Sequence, residues 1–343
     1  MSQERYSRQI LFKQIGEIGQ SKINQKCALI IGMGALGTHV AEGLVRAGIA
    51  KLIIVDRDYI EFSNLQRQTL FTEEDALKMM PKVVAAKKHL LALRSDVDID
   101  GCIAHVDYYF LETHGQDVDV IIDATDNFET RQLINDFAYK HRIPWIYGGV
   151  VQSTYTEAAF IPGKTPCFNC LVPQLPALNL TCDTVGVIQP AVTMATSLQL
   201  RDAMKVLTEQ PIDTKITYGD IWEGSHYSFG FSKMQRSDCT TCGDVPSYPY
   251  LNKNEQRYAT LCGRDTVQYE NASITHDILV QFLKQHQLNY RSNSYMVMFE
   301  FKGHRIVAFK GGRFLIHGMT RTSDATHLMN LLFWIKKDKT KGV

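Results

Sequence analysis

Between Gly32 and Asp126 the chain carries the residue types that hold a nucleotide's phosphates and offset the charge moving between them. Gly32, Gly34 and Gly37 stand in G-x-G-x-x-G spacing, with Ala35 inside the turn. The apolar run Ala28 to Ile31 precedes them and an apolar-periodic segment, Leu36 to Ala47, follows. That order predicts a buried strand, a tight turn and a helix, with backbone N–H groups and the positive end of the helix facing phosphate. Asp56 closes the next apolar run, at the spacing of a ribose-binding acid. These features alone suit many dehydrogenases, so a nicotinamide-dependent oxidoreductase is one reading.

The next residues separate the readings. Asp58 adds a second acid, and Ser63, Asn64, Arg67 and then Lys82 follow. A dinucleotide site needs one acid for ribose and little fixed positive charge. Two cations and an amide suit a triphosphate with magnesium, where negative charge shifts onto a departing pyrophosphate. The alternative is that Arg67 and Lys82 are solvated surface charges. Asp126, with Asn127 beside it, follows the run Asp119 to Asp123 at an expected strand end. It suits magnesium as a hard oxygen ligand, and it equally suits a helix N-cap for the segment Glu129 to Lys140.

A second feature is the pair of C-x-x-C elements, Cys167/Cys170 and Cys239/Cys242. Four thiolates in two such pairs form a tetrahedral set typical of structural zinc. Such a site is closed, so it should staple distant segments and take no part in catalysis.

Arg5-Tyr6-Ser7-Arg8-Gln9, GMGALG, DRDYIEFSNLQRQ, Pro81-Lys82-Val83 and Asp123-Ala124-Thr125-Asp126-Asn127 together resemble the ThiF/MoeB family, relatives of the ubiquitin-activating enzymes. The similarity runs in family order from about Arg5 to Gly243. It implies ATP-dependent adenylylation of the C-terminal Gly-Gly carboxylate of a ubiquitin-like sulfur-carrier protein. By this resemblance Asp58 holds ribose, Asn64, Arg67 and Lys82 contact phosphates, and Asp126 binds magnesium. Arg8 would reach the neighbouring subunit's nucleotide site, making the active site shared in a homodimer. The carrier would be either the small subunit of molybdopterin synthase or the thiamine-pathway carrier. Arg5 to Arg8 and SNLQRQTLF look like the first branch and tip the reading toward it, while the C-terminal tail resembles that of Firmicute-type members and points the other way. A non-catalytic scaffold, as among relatives that lost their nucleotide site, is a third reading, opposed by intact Asp58, Arg67, Lys82 and Asp126.

The residue types fit the chemistry independently. A carboxylate is already a competent nucleophile, so no general base is needed. What must be overcome is anion repulsion, which fixed cations and a metal offset. Of the other cysteines, Cys27 and Cys102 lie in apolar runs and are expected to be buried. Cys182 lies in the loop-like stretch Pro173 to Gly186, where the family carries a candidate thiol for a covalent link to the carrier. It is either that thiol or an incidental loop cysteine. Cys262-Gly263-Arg264-Asp265-Thr266 looks superficially like a rhodanese loop, but the tail is too short and no sulfur delivery is expected from it.

The elements that must position these groups alternate. Strand-like runs at Ala28–Ile31, Leu52–Val55, Ile99–Ala104, Val118–Ile122 and Trp145–Tyr147 are interleaved with helical runs at Leu36–Ala47, Val83–Leu93 and Arg131–Lys140. The expected fold is α/β, a Rossmann-like doubly wound sheet. Strands Thr154–Ile161, Ile216–Tyr218 and Tyr227–Phe231 should extend it antiparallel, beside a long helix Gln189–Leu207. Residues 1–245 form the expected ATP-binding domain and 246–343 a small α+β domain, with helices Ile274–Lys284 and Leu328–Ile335 around a three-strand meander. The 343 residues suffice for a sizeable core. A net charge of +1 argues against a nucleic-acid surface. No apolar run suits a membrane span or signal peptide, and the zinc-type cysteine spacing suits a reducing, cytoplasmic setting.

Overall fold

The computed structural model describes residues 2–172, 185–251 and 266–338. The chain divides into two compact units, Met1–Lys253 and Asn254–Val343. The division lies beyond the expected 245/246 boundary because the turn Pro249–Leu251 belongs with the first unit. There the Tyr250 N–H donates to Asp136 Oδ2 at 2.9 Å.

The first unit is built on strands β1 (Cys27–Ile31), β2 (Lys51–Asp56), β3 (Asp98–Ile103), β4 (Val120–Asp123), β5 (Trp145–Val151), β6 (Thr154–Phe160), β7 (Lys215–Asp220) and β8 (Ser225–Gly230). They form one sheet in the order β3-β2-β1-β4-β5-β6-β7-β8. Pairing is parallel from β3 to β5 and antiparallel from β5 to β8. The fold is therefore the expected doubly wound sheet with an antiparallel extension. Both faces of the parallel part are covered. Ala28 and Ile30 of β1 join one apolar cluster, and Leu29 and Ile31 join another. Such strands read as continuous apolar runs because alternate side chains enter two different cores. The order reverses between β1 and β4, and ligands of open α/β sheets bind outside the carboxyl ends of the strands at that switch point.

The helices fall close to their expected positions. They span Ala35–Ala47, Lys82–Leu93, Phe128–His141 and Gln189–Leu207. A helix at Tyr108–His114 was not expected. Asp107 caps it by accepting from the Phe110 N–H at 2.8 Å. Cys27 and Cys102 are not fully buried: both are half-exposed. Cys27 is the first residue of its strand and Cys102 lies on β3, the terminal strand of the sheet. Partial burial pushes each thiol up to about 11, Cys102 with help from Asp100.

The second unit has a five-stranded sheet in the order β10-β11-β12-β13-β9, made of β9 (Thr266–Glu270), β10 (Tyr290–Ser292), β11 (Met296–Phe301), β12 (His304–Phe309) and β13 (Arg313–His317). Every pairing is antiparallel. The expected meander is β11 to β13, and β9 and β10 extend it on either side. Helices His276–Gln285 and Thr322–Asp338 accompany it, and Leu279, Phe282, Val297, Phe299, Phe314 and Met329 fill its core. No helix among the described residues is long and apolar enough to cross a membrane.

Candidate active site

Two loops meet at the switch point. Gly32 to Gly34 leaves β1, and Ala124 to Asn127 leaves β4. Backbone bonds tie both loops to the strands, with Gly32 N–H donating to Val55 O and Ala124 N–H to Ile31 O, each at 2.9 Å. Gly32 has φ +97°, and a Cβ there would lie 2.5 Å from Ala124 O. A Cβ on Gly37 would collide with Gly32 O. Glycine is therefore required at both positions for the helix Ala35–Ala47 to start this close to the second loop.

Asp56, at the end of β2, holds the glycine turn. Its Oδ2 accepts from Met33 N–H and its Oδ1 from Asp58 N–H, each at 2.7 Å. Its carboxylate is thus engaged by backbone, and Asp58 supplies the second acid two residues on. Lys82 Nζ stands 3.5 Å from Asp58 Oδ2, and Lys82 is buried. The Lys82 N–H also donates to Asp58 O at 3.0 Å, so the helix Lys82–Leu93 begins against the Asp58 turn.

Asn64 ends a short 3-10 turn, Phe62–Asn64, and is buried with its Oδ1 accepting from Glu61 N–H at 3.0 Å. Ser63 is exposed, and its carbonyl accepts from the half-buried Arg67 guanidinium at 3.0 Å. Gln68 is buried, with an amide oxygen that has no partner among the described residues. The other end of that amide lies 3.8 Å from where a Cβ on Gly34 would stand. Gln68 was not among the expected site residues.

Asp126 and Asn127 divide the two roles open to Asp126. Asn127 is the N-cap of the helix Phe128–His141, its Oδ1 accepting from Thr130 N–H at 2.9 Å. Asp126 is exposed on the loop. The loop rests on a buried pair, with Arg131 Nε 3.0 Å from Asp123 Oδ2 and both side chains nearly inaccessible. Asp123 Oδ1 also accepts from the Thr125 hydroxyl and N–H at 2.7 and 2.9 Å. Arg131 further donates to Thr125 O and Gly148 O and lies over the Tyr147 ring, 5.0 Å from its centroid. Burial raises the Asp123 carboxyl, and the adjacent guanidinium opposes that rise.

Arg8 lies in a short N-terminal helix, Ser7–Ile10, exposed and without a hydrogen-bond or ion-pair partner among the described residues. The segment itself is anchored. Tyr6 is buried against Arg94, and the Gln9 amide donates to Ala47 O at 2.9 Å.

The four C-x-x-C sulfurs converge, all within 4.8 Å of one another, with Cys167–Cys239 and Cys170–Cys242 sulfurs 3.5 Å apart. Tetrahedral zinc at about 2.3 Å from each sulfur separates them by about 3.8 Å, so the set fits that ion. Thr241 ties the cluster to the helix Phe128–His141: its hydroxyl donates to Asp136 Oδ1 at 2.5 Å and accepts from Asn169 at 2.8 Å. Cys182 and Cys262 lie outside the described residues.

A glycine turn and an acidic loop meeting at the switch point of a mixed sheet make the arrangement of a nucleotide-binding α/β fold. The chain belongs to the ThiF family, whose model matches residues 6–242. It is 42% identical to the sulfur carrier protein ThiS adenylyltransferase of Bacillus subtilis, over 92% of this chain and 94% of that protein. It is 34% identical to the protein of the same name in Escherichia coli, over 71% of this chain and 97% of that one. The crystal structure of Escherichia coli MccB with ATP matches 70% of this chain and 74% of its own at 25% identity, with a TM-score of 0.61.

Proposed function

We propose that this protein uses ATP to adenylylate the C-terminal carboxylate of a ubiquitin-like sulfur-carrier protein, releasing pyrophosphate. What supports this reading is the glycine turn packed against the Ala124 loop at the β1/β4 switch point, with Asp58 and Lys82 3.5 Å apart after β2. The Bacillus subtilis likeness extends over nearly the whole chain, tail included, and favours the thiamine-pathway carrier over that of molybdopterin synthase.

In this reading the glycine turn and the start of the helix Ala35–Ala47 receive phosphate, and Asp58 receives ribose. The carrier's terminal carboxylate attacks the α-phosphate; the bond to the β-phosphate breaks and its electrons leave with pyrophosphate. Lys82, Asn64 and Arg67 stabilise the charge on the phosphates, with Arg8 of the partner subunit completing the set in a homodimer. The Arg67 contact with Ser63 O uses one of the guanidinium's five N–H donors. Asp126 would hold magnesium, which supplies further positive charge to the phosphates. The Cys₄ cluster would hold a structural zinc. Cys182 would serve a later sulfur-transfer step as a thiol for a covalent link to the carrier.

A cheap test is thermal denaturation with nucleotides. ATP with magnesium should raise the melting temperature, by an amount set by its concentration over Kd, and NAD should not. Stabilisation by NAD and not by ATP would overturn the reading.

A further inference from the structure

A second group of metal-binding side chains lies at the terminal strand of the sheet and shares no residue with the Cys₄ cluster. Asp100 and Cys102 are two residues apart on β3, so both project from the same face of the terminal strand. The helix Tyr108–His114 brings His114 over them. His114 Nδ1 stands 3.9 Å from Asp100 Oδ2, and Cys102 Sγ stands 3.9 Å from Asp100 Oδ1. All three ligand atoms lie within 4.8 Å of one another.

The His114–Asp100 contact is longer than a hydrogen bond, and the thiol's contact with Asp100 is a long, weak one. Neither ring nitrogen of His114 has a hydrogen-bond partner among the described residues, although the side chain is only 31% exposed. Its ring is held by stacking on Phe110, with centroids 4.6 Å apart. An oriented imidazole, a half-buried thiol and a carboxylate thus converge, with only long contacts to Asp100 joining them. We propose that Asp100, Cys102 and His114 form a second metal site that takes a zinc-class divalent ion.

The donor set decides the class. A sulfur donor disfavours magnesium and calcium, and one each of S, N and O suits zinc. Bound zinc would bring the ligand atoms to about 3.3–3.7 Å from one another, a closure of about 1 Å or less that side-chain rotation supplies. Asp100 is 49% exposed, so the fourth position opens to solvent and is completed by water. Such a site differs from the closed Cys₄ set: its ion exchanges with the medium. When filled, it clasps the terminal strand β3 to the helix that follows it.

The test is zinc stoichiometry on the full chain, equilibrated with micromolar free Zn²⁺ and analysed by atomic emission. The wild type should carry two zinc ions per chain, while Cys102→Ser and His114→Ala should each carry one. Each variant's ATP-dependent thermal shift is measured alongside, as a check on the fold. One ion in the wild type, or two in both variants, would overturn the proposal. If one variant misfolds, the other together with Asp100→Asn decides the outcome.

Discussion

Asn127, and not its neighbour Asp126, caps the helix Phe128–His141. This one relationship separates stability from chemistry at the end of β4. Replacing Asn127 by Ala should cost about 1 kcal/mol of stability through loss of the cap. Replacing the exposed Asp126 by Ala should change stability by no more than about 0.5 kcal/mol. The same change should lower ATP–pyrophosphate exchange by about 10²-fold or more, through loss of a charge-stabilising partner at the phosphates. Urea midpoints and exchange rates measured on the two variants check both halves, and equal destabilisation by both would contradict the division.

The Asp123–Arg131 pair should behave as a buried support. Arg131→Ala leaves the Asp123 carboxylate buried without its cation, and removing one partner of such a pair costs about 3–5 kcal/mol. Denaturant unfolding measures this directly. A loss below about 1 kcal/mol would mean that the Thr125 hydrogen bonds alone hold the loop.

Arg8 offers a test of the shared site. Arg8→Ala and Arg67→Ala homodimers should each lose about 10²-fold or more in exchange. In a mixture of equal parts, random reassortment makes half of the dimers mixed, and each mixed dimer has one complete site. About a quarter of wild-type activity should therefore return. No recovery after verified subunit exchange would place Arg8 outside the partner's site.

If the Cys₄ cluster holds zinc as proposed, removing the ion should destabilise the first unit as a whole. The segments holding the two pairs are both bound to the helix Phe128–His141, through Asn135 and Asp136. That helix also carries Arg131, so loss of the ion reaches the nucleotide loop. A chelator that removes zinc should lower the melting temperature and abolish the ATP-dependent shift. Zinc removal with an unchanged melting temperature would contradict the structural role.

What the sequence made legible was local. The glycine turn and the paired C-x-x-C elements show in their own spacing, and the helix Gln189–Leu207 falls at its expected bounds. Arg131 was hidden because an arginine in a helix looks like a solvated charge until β4 and β5 close over it. Gln68 was hidden likewise, since only the folded turn sets it beside Gly34. The strand β9 carries a short polar/apolar alternation, Thr266-Val-Gln-Tyr-Glu270, but its partner β13 lies far along the chain. Asp107 to His114 is too short for helical periodicity, with only Phe110 and Leu111 buried in the helix.

The most direct measurement is magnesium-dependent ATP–pyrophosphate exchange with the purified thiamine-pathway and molybdopterin-synthase carriers in parallel. The account predicts exchange with the thiamine-pathway carrier, lost when its terminal Gly-Gly is removed. Exchange with the molybdopterin-synthase carrier alone would keep the chemistry and reassign the carrier. Absence of exchange with both carriers, in protein that binds ATP, would contradict the adenylyltransferase reading.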